Sequence, residues 1–133
     1  MSDCPCDLNG LKVLVTRPEG QADVLRKAIL ECGGHVERLP LLVIKPDVGE
    51  AGKVRLENAQ KFNDLIFVSP NAVRFSVHDL QPGKARGIAI GEGTAARLED
   101  QGILVDLVPR RSTSEGLLED ERLGTMKGRM VLI

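Results

Sequence analysis

Tryptophan and tyrosine are absent from this chain of 133 residues, and phenylalanine occurs only at Phe62, Phe67 and Phe75. So sparse an aromatic set argues against the stacking platforms by which proteins grip single-stranded nucleic acid. An excess of charge of one sign is missing too: 18 basic residues against 19 acidic ones leave a formal net charge of −1. The two signs are interspersed, so no basic face for nucleic acid or a membrane surface is visible. No apolar run approaches the roughly 18 residues of a membrane span, and the amino end lacks a signal-peptide core. The expectation is a cytoplasmic protein.

Histidine occurs twice, at His35 and His78, and neither stands at motif spacing from a serine or carboxylate. Both read as surface residues. No serine-histidine-acid arrangement, Walker loop or metal-spaced cluster is present, so any chemistry must work by positioning and polar stabilisation. Cysteine is scarce: Cys4, Cys6 and Cys32. An odd count with one member inside a helical pattern makes no disulfide framework. Cys4-Pro5-Cys6 lacks the second pair that would complete four metal ligands, which leaves free thiols on a tail and no metal site.

What is present suits a single ordinary globular domain, with 42% hydrophobic and 28% charged residues. Residues 1–10 are polar and read as a disordered extension. An apolar strand at 11–16 leads through a turn at Arg17-Pro18 into a helix at 21–32, where Ala22, Leu25, Ala28, Ile29 and Cys32 form one apolar face. Gly33-Gly34 ends it, and 35–40 alternates as a second strand. Residues 41–45 lie between Pro40 and Pro46, which suits an edge strand or extended connector better than a central strand. Weak helical spacing follows over 47–62, where Val48, Val54, Leu56, Ala59 and Phe62 recur.

From Asp64 the pattern is regular: strand 65–68 into helix 71–80, strand 87–90 into helix 94–101, strand 103–108, a basic loop at Arg110-Arg111, helix 114–123, and a strand beginning at Met130. Such alternation implies an α/β fold with a mostly parallel sheet. The final strand has no helix to cover it, so the chain reads as cut short.

Two junctions share one construction, an apolar run, small polar residues, then a helix. They are Leu65-Ile66-Phe67-Val68 into Ser69-Pro70-Asn71, and Gly87-Ile88-Ala89-Ile90 into Gly91-Glu92-Gly93-Thr94. Each puts hydroxyls and unpaired amides at the carboxyl end of a buried strand, where open α/β sheets bind ligands and helix amino ends favour anions. Ser69 and Pro70 equally suit a plain helix cap, and Ser114-Glu115-Gly116 a second one. Gly91-Glu92-Gly93-Thr94-Ala95-Ala96 fits the dinucleotide pattern G-x-G-x-x-A, but Glu92 would face the pyrophosphate and no acidic residue ends the next strand, since Asp106 lies within it. A tight turn that binds another oxyanion, or simply opens a helix, is the better reading. Arg17 sits just past the first strand, as a solvated charge or at an anion.

Five blocks in order, Val13-Leu14-Val15-Thr16-Arg17-Pro18 with Gln21-Ala22, Pro40-Leu41, Ile66 to Val73, Ala89 to Ala95, and Ser114-Glu115-Gly116-Leu117-Leu118, resemble uroporphyrinogen-III synthase. The resemblance runs from Leu11 to the last residue. It implies a cofactor-independent lyase of tetrapyrrole synthesis that cyclises hydroxymethylbilane and inverts its last pyrrole ring. It also implies two α/β lobes about a cleft. Residues 11–39 would be a β-α-β piece of a discontinuous first lobe, 40–50 the connector, and 51–133 most of a flavodoxin-like second lobe truncated at its carboxyl end.

Carried over by motif, Arg17, Ser69, Asn71, Gly91, Gly93, Thr94 and Ser114 would face a linear tetrapyrrole rich in carboxylates, with Thr94 the best candidate for chemistry. The family's polypeptide is about twice as long, and the tyrosine proposed to assist loss of hydroxyl falls beyond residue 133. The fragment is therefore expected to be weak or inactive, and 11–39, without sheet partners, to self-associate. The rival reading is a non-enzymatic flavodoxin-like or nucleotide-binding module using the Gly91 turn.

Overall fold

The computed structural model describes residues 6–47 and 49–133, and the fold is α/β with parallel sheets. Residues 1–5 and Val48 lie outside that description, so of the expected tail thiols only Cys6 is described. By spatial clustering the chain divides into two units, Met1–Pro46 and Asp47–Ile133.

The first unit contains β1 (Lys12–Val15), α1 (Asp23–Glu31) and β2 (His35–Arg38). The two strands pair in parallel with Val13 opposite Val36. Apolar spacing on α1 buries Ile29 against Val15 and Ala22, with Leu8, Val13 and Val36 packed around them. The expected extension is docked from Leu8 onward: the Leu8 amide donates to the Cys32 carbonyl at 2.8 Å and the Gly10 amide to Gly33 at 2.9 Å. Those bonds hold the segment on the end of α1, where the free Cys6 thiol stands 3.7 Å from Cys32 Sγ. Cys32 is disulfide-bonded, which corrects the expectation of no disulfide, while Cys6 keeps the free thiol expected of the tail. Residues 41–46 form no strand, which selects the extended connector over the edge strand that their flanking prolines also allowed.

The second unit begins with α2 (Gly49–Glu57) and a 3₁₀ turn at Ala59–Lys61. It continues with β3 (Asp64–Phe67), α3 (Pro70–Ser76), β4 (Arg86–Ala89), α4 (Glu92–Asp100), α5 (Ser114–Leu118), a 3₁₀ turn at Glu121–Leu123, and β5 (Val131–Leu132). The sheet runs β4-β3-β5, all parallel, with Leu65 opposite both Gly87 and Leu132. Side chains alternate across it as a strand's period of two dictates. Leu65, Phe67 and Ala89 join Val73 of α3 and Ala95 and Leu98 of α4 on one face. Ile88 joins Leu107, Leu117 of α5 and Leu123 on the other, with Ile66 and Ile90 beside them. Helices thus cover both faces of a parallel sheet, the arrangement that buries its strands.

Two expected elements are shorter than their patterns suggest, both because an aspartate competes with the backbone. In place of a strand at 103–108 there is one parallel bridge, Ile88 to Leu107. The Asp106 carboxylate takes the Gly87 amide at 2.7 Å, the donor a neighbouring strand would have used. Gly87 is needed there, since a Cβ would overlap the Leu104 carbonyl oxygen. The helix expected to reach residue 123 ends at Leu118. Asp120 then accepts the Arg122 amide at 3.0 Å and opens a separate 3₁₀ turn. The Arg122 guanidinium beside it lowers the Asp120 carboxyl to about 2.

One cluster fixes the amino edge of this sheet. Asp64, fully buried at the start of β3, accepts from Arg86 Nε at 2.7 Å and from Arg129 Nε and NH2 at 2.6 and 2.9 Å. Arg86 also donates to the carbonyls of Arg122 and Leu123 at 3.0 and 2.9 Å. Burial pushes the Asp64 carboxyl up, but the hydrogen bonds from Arg129 and Arg86, with their charge, outweigh it and hold the group below its ordinary value.

The folded state therefore binds this proton less readily than the unfolded chain. The stabilisation is complete above about pH 4, the unfolded value, and is lost as pH falls through the lower native value. Asp64→Asn should destabilise the second unit by about 3 kcal/mol in urea unfolding near neutral pH and flatten the acid limb of its stability curve. A loss under about 1 kcal/mol would mean the cluster is not what holds this edge.

Candidate functional site

Because β3 and β4 are parallel, and Leu107 is bridged in parallel to Ile88, the segments that follow all three leave the same carboxyl edge of the sheet. Residues 69–71, 91–94 and 110–114 follow from it, and Gly91 and Ser112 lie within contact of each other. This edge is opposite the Asp64 cluster. Ser69, Asn71, Gly91, Gly93, Thr94 and Ser114 are thereby brought to one rim. Arg17 belongs to the first unit, where its NH1 donates to the Gln21 carbonyl at 3.4 Å across the turn that opens α1.

At the first junction the backbone of Ser69 is extended and its Oγ accepts the Ala72 amide at 3.1 Å, with Pro70 opening the helix. Its acceptor role is thus filled by capping α3, while its O–H remains able to donate. Asn71 follows, half-buried, in the first turn of α3.

At the third junction Thr113, not Ser114, caps α5: its backbone is extended and its Oγ1 accepts the Gly116 amide at 3.0 Å. Ser114 is the first residue of the helix and exposed. The register slips by one because Gly116 packs so closely on the Arg111 carbonyl that a Cβ there would overlap it. The cap expected at Ser114-Glu115-Gly116 is thus corrected by one residue, to Thr113.

The second junction differs from both. Gly91 opens α4 with no side chain to cap it. The amides of Thr94 and Ala95 go to the Gly91 carbonyl, each at 3.0 Å, while those of Glu92 and Gly93 have no acceptor among the described residues. Gly93 is exposed with open space where a Cβ would lie. Thr94, by contrast, keeps only 4% of its surface. Its hydroxyl has no hydrogen-bond partner among the described residues. Since no fully enclosed side-chain oxygen there lacks a partner, the Thr94 oxygen opens to the surface at the first turn of α4. Two free amides, a positive helix end and one fixed hydroxyl make a seat for an oxyanion.

Beside α5 lies a cleft of about 470 Å³ lined by Arg110, Arg111, Gly116, Glu119, Asp120, Glu121 and Arg122. Two of its three guanidiniums are engaged: Arg111 pairs with Glu119, and Arg122 with Asp120 at 2.6 Å while also donating to the Val108 carbonyl at 2.7 Å. With the carboxylates of Glu119, Asp120 and Glu121 in the same lining, the cleft offers a polycarboxylate little, so size does not make it the better site. Among the described residues no group of histidine, cysteine and carboxylate side chains could hold a metal ion.

A family model described as uroporphyrinogen-III synthase HemD matches residues 23–133. The uroporphyrinogen-III synthase of Chlorobaculum parvum is 29% identical over 129 residues, covering 90% of this chain and 51% of that protein. This chain thus spans about half the length of the curated relative it matches. The crystal structure of uroporphyrinogen-III synthetase from Helicobacter pylori shares its fold, with a TM-score of 0.59 at 22% identity over 81% of this chain and 51% of that one.

The capping assignment predicts that Thr113→Ala lowers stability by about 1 kcal/mol, whereas Ser114→Ala stays within about 0.5 kcal/mol of the parent. Denaturant midpoints of the two variants check it, and the reverse order would return the cap to Ser114.

Proposed function

Because the chain belongs to the uroporphyrinogen-III synthase family, whose activity is that of a lyase, we propose that the carboxyl edge of its second unit is one wall of a site for hydroxymethylbilane. The reaction is closure of this linear tetrapyrrole to uroporphyrinogen III with inversion of the last ring, without a cofactor and in the cytoplasm. The observation that carries the reading is the first turn of α4, where amides without an acceptor among the described residues and the nearly buried Thr94 stand together.

The chemistry suits the ligand. Hydroxymethylbilane bears acetate and propionate carboxylates on its rings, and a helix end stabilises each nearby anion by about 0.3–1 kcal/mol when exposed. Several weak donors along a rim, Ser69, Asn71, Gly91, Gly93, Thr94 and Ser114 in this reading, together hold a flexible chain in the folded pose that ring closure needs. Thr94 is the residue best placed to stabilise charge as the hydroxymethyl group departs as water, since its hydroxyl is fixed by burial and open on one side. Arg17, described within the first unit alone, is a guanidinium able to bind a carboxylate in this reading.

The 133 residues by themselves bring only part of such a site, and the reading assigns them weak or no turnover. The first unit has a sheet of only two strands among the described residues, with Leu11 and Leu14 more than half exposed. In this scheme it self-associates through that sheet.

Incubated with hydroxymethylbilane, the purified chain should form little type III product above the spontaneous type I background, while the substrate shifts the amide resonances of residues 91–94. Rapid type III-selective cyclisation would overturn the assignment of weak turnover. Failure of any tetrapyrrole to perturb 91–94 would overturn the site. Sedimentation should show a concentration-dependent dimer that Leu14→Glu abolishes, and a strict monomer would remove self-association.

A further inference from the structure

Ser112 stands at the same mouth and was not among the residues that sequence patterns singled out for binding. It follows Leu107 in the loop that returns over the carboxyl edge, and a Cβ on Gly91 would meet its Oγ at 3.2 Å and its Cβ at 3.3 Å. Gly91 has extended backbone, φ −150°, which any residue adopts. A side chain there would therefore crowd Ser112, which would have to give by a few tenths of an ångström, while the turn itself makes no demand for glycine.

Ser112 is also free for other work. Thr113 caps α5 in its place, and the exposed Ser112 hydroxyl has no hydrogen-bond partner among the described residues. An exposed hydroxyl without a task is common. Here, however, it lies against the residue that opens α4, whose Glu92 and Gly93 amides lack acceptors. Three residues past Gly91 is Thr94, nine-tenths buried with its oxygen open at that turn.

Resting on the reading of the site given above, we propose that Ser112 is a substrate-binding residue: its hydroxyl joins that of Thr94 and the amides of Glu92 and Gly93 in seating one carboxylate of the tetrapyrrole. A carboxylate has two oxygens with about four acceptor positions, enough for donors arriving from two different loops. Two loops also give selectivity that one helix end cannot. A carboxylate on a flexible acetate or propionate arm can enter between them, whereas a pyrophosphate lying along the helix mouth meets the carboxylate of Glu92. The glycine at 91 and the serine at 112 then form one device, the first making room for the second.

The test uses the 133-residue chain and uroporphyrin III, the stable oxidised form of the proposed product, with affinity read from the porphyrin's own fluorescence and contacts from amide shifts at 91–94. Ser112→Ala should weaken binding about tenfold, as expected for loss of a hydrogen bond to a charged group, with the melting temperature unchanged. Ser112→Thr, which keeps the hydroxyl, should bind within about threefold of the parent. Gly91→Ala should weaken binding as Ser112→Ala does, because the added methyl displaces the same hydroxyl. If the parent binds with shifts at 91–94 and Ser112→Ala binds equally well, this inference falls and the proposed site stands. If the parent binds no porphyrin at all, both fall together.

Discussion

Asp64 opens β3 with none of its side chain exposed, and its two oxygens accept from Arg86 at the start of β4 and Arg129 just before β5. A carboxylate so buried, left unpaired, would cost several kcal/mol. With two guanidiniums around it, the same group ties three strands together at their amino ends. Arg86 extends the tie to the carbonyls of Arg122 and Leu123, and so to the turn after α5. The arrangement depends on burial as much as on charge, because solvent would screen the attraction between these groups.

Holding the strands at one edge has a consequence at the other. In a parallel sheet every strand-to-helix junction leaves by the carboxyl edge, so the clamp and the candidate site occupy opposite ends of β3 and β4. The charged side chains concentrate stability at the amino end. The carboxyl end is furnished with small residues: Ser69, Gly91, Gly93, Thr94, Ser112, Thr113 and Ser114. Two of those hydroxyls, on Ser69 and Thr113, satisfy the amides of their own short helices. At α4 a glycine in the capping position leaves the amides unanswered, and that difference singles out one junction among three.

Much of this was legible from residue order. The periodicity of Leu65 to Val68 and of Gly87 to Ile90 identified the two central strands, because a strand covered on both faces must be apolar throughout. Gly and Ser before the helical patterns marked where each strand ends. The pattern misled where a side chain took over a backbone role. Asp106 and Asp120 fall within an expected strand and an expected helix, yet each captures a backbone amide with its carboxylate and the regular element does not form there. Cys32 is part of a disulfide, and bonds from Leu8 and Gly10 hold their segment on the end of α1, contacts that no local pattern announces.

The sequence by itself determined the family and most of the order of strands and helices, and it proposed the neighbourhood of the candidate site, since all three rest on local chemistry: apolar spacing, turn residues and short motifs. Tertiary structure alone decided which hydroxyls are free. Whether Ser69, Thr94, Ser112, Thr113 or Ser114 caps a helix, opens to solvent or stands against a neighbouring loop depends on distances between segments about twenty residues apart. Those distances are set when two faces of one sheet are packed at once and a buried carboxylate selects its partners. Residue order holds that information only through the fold.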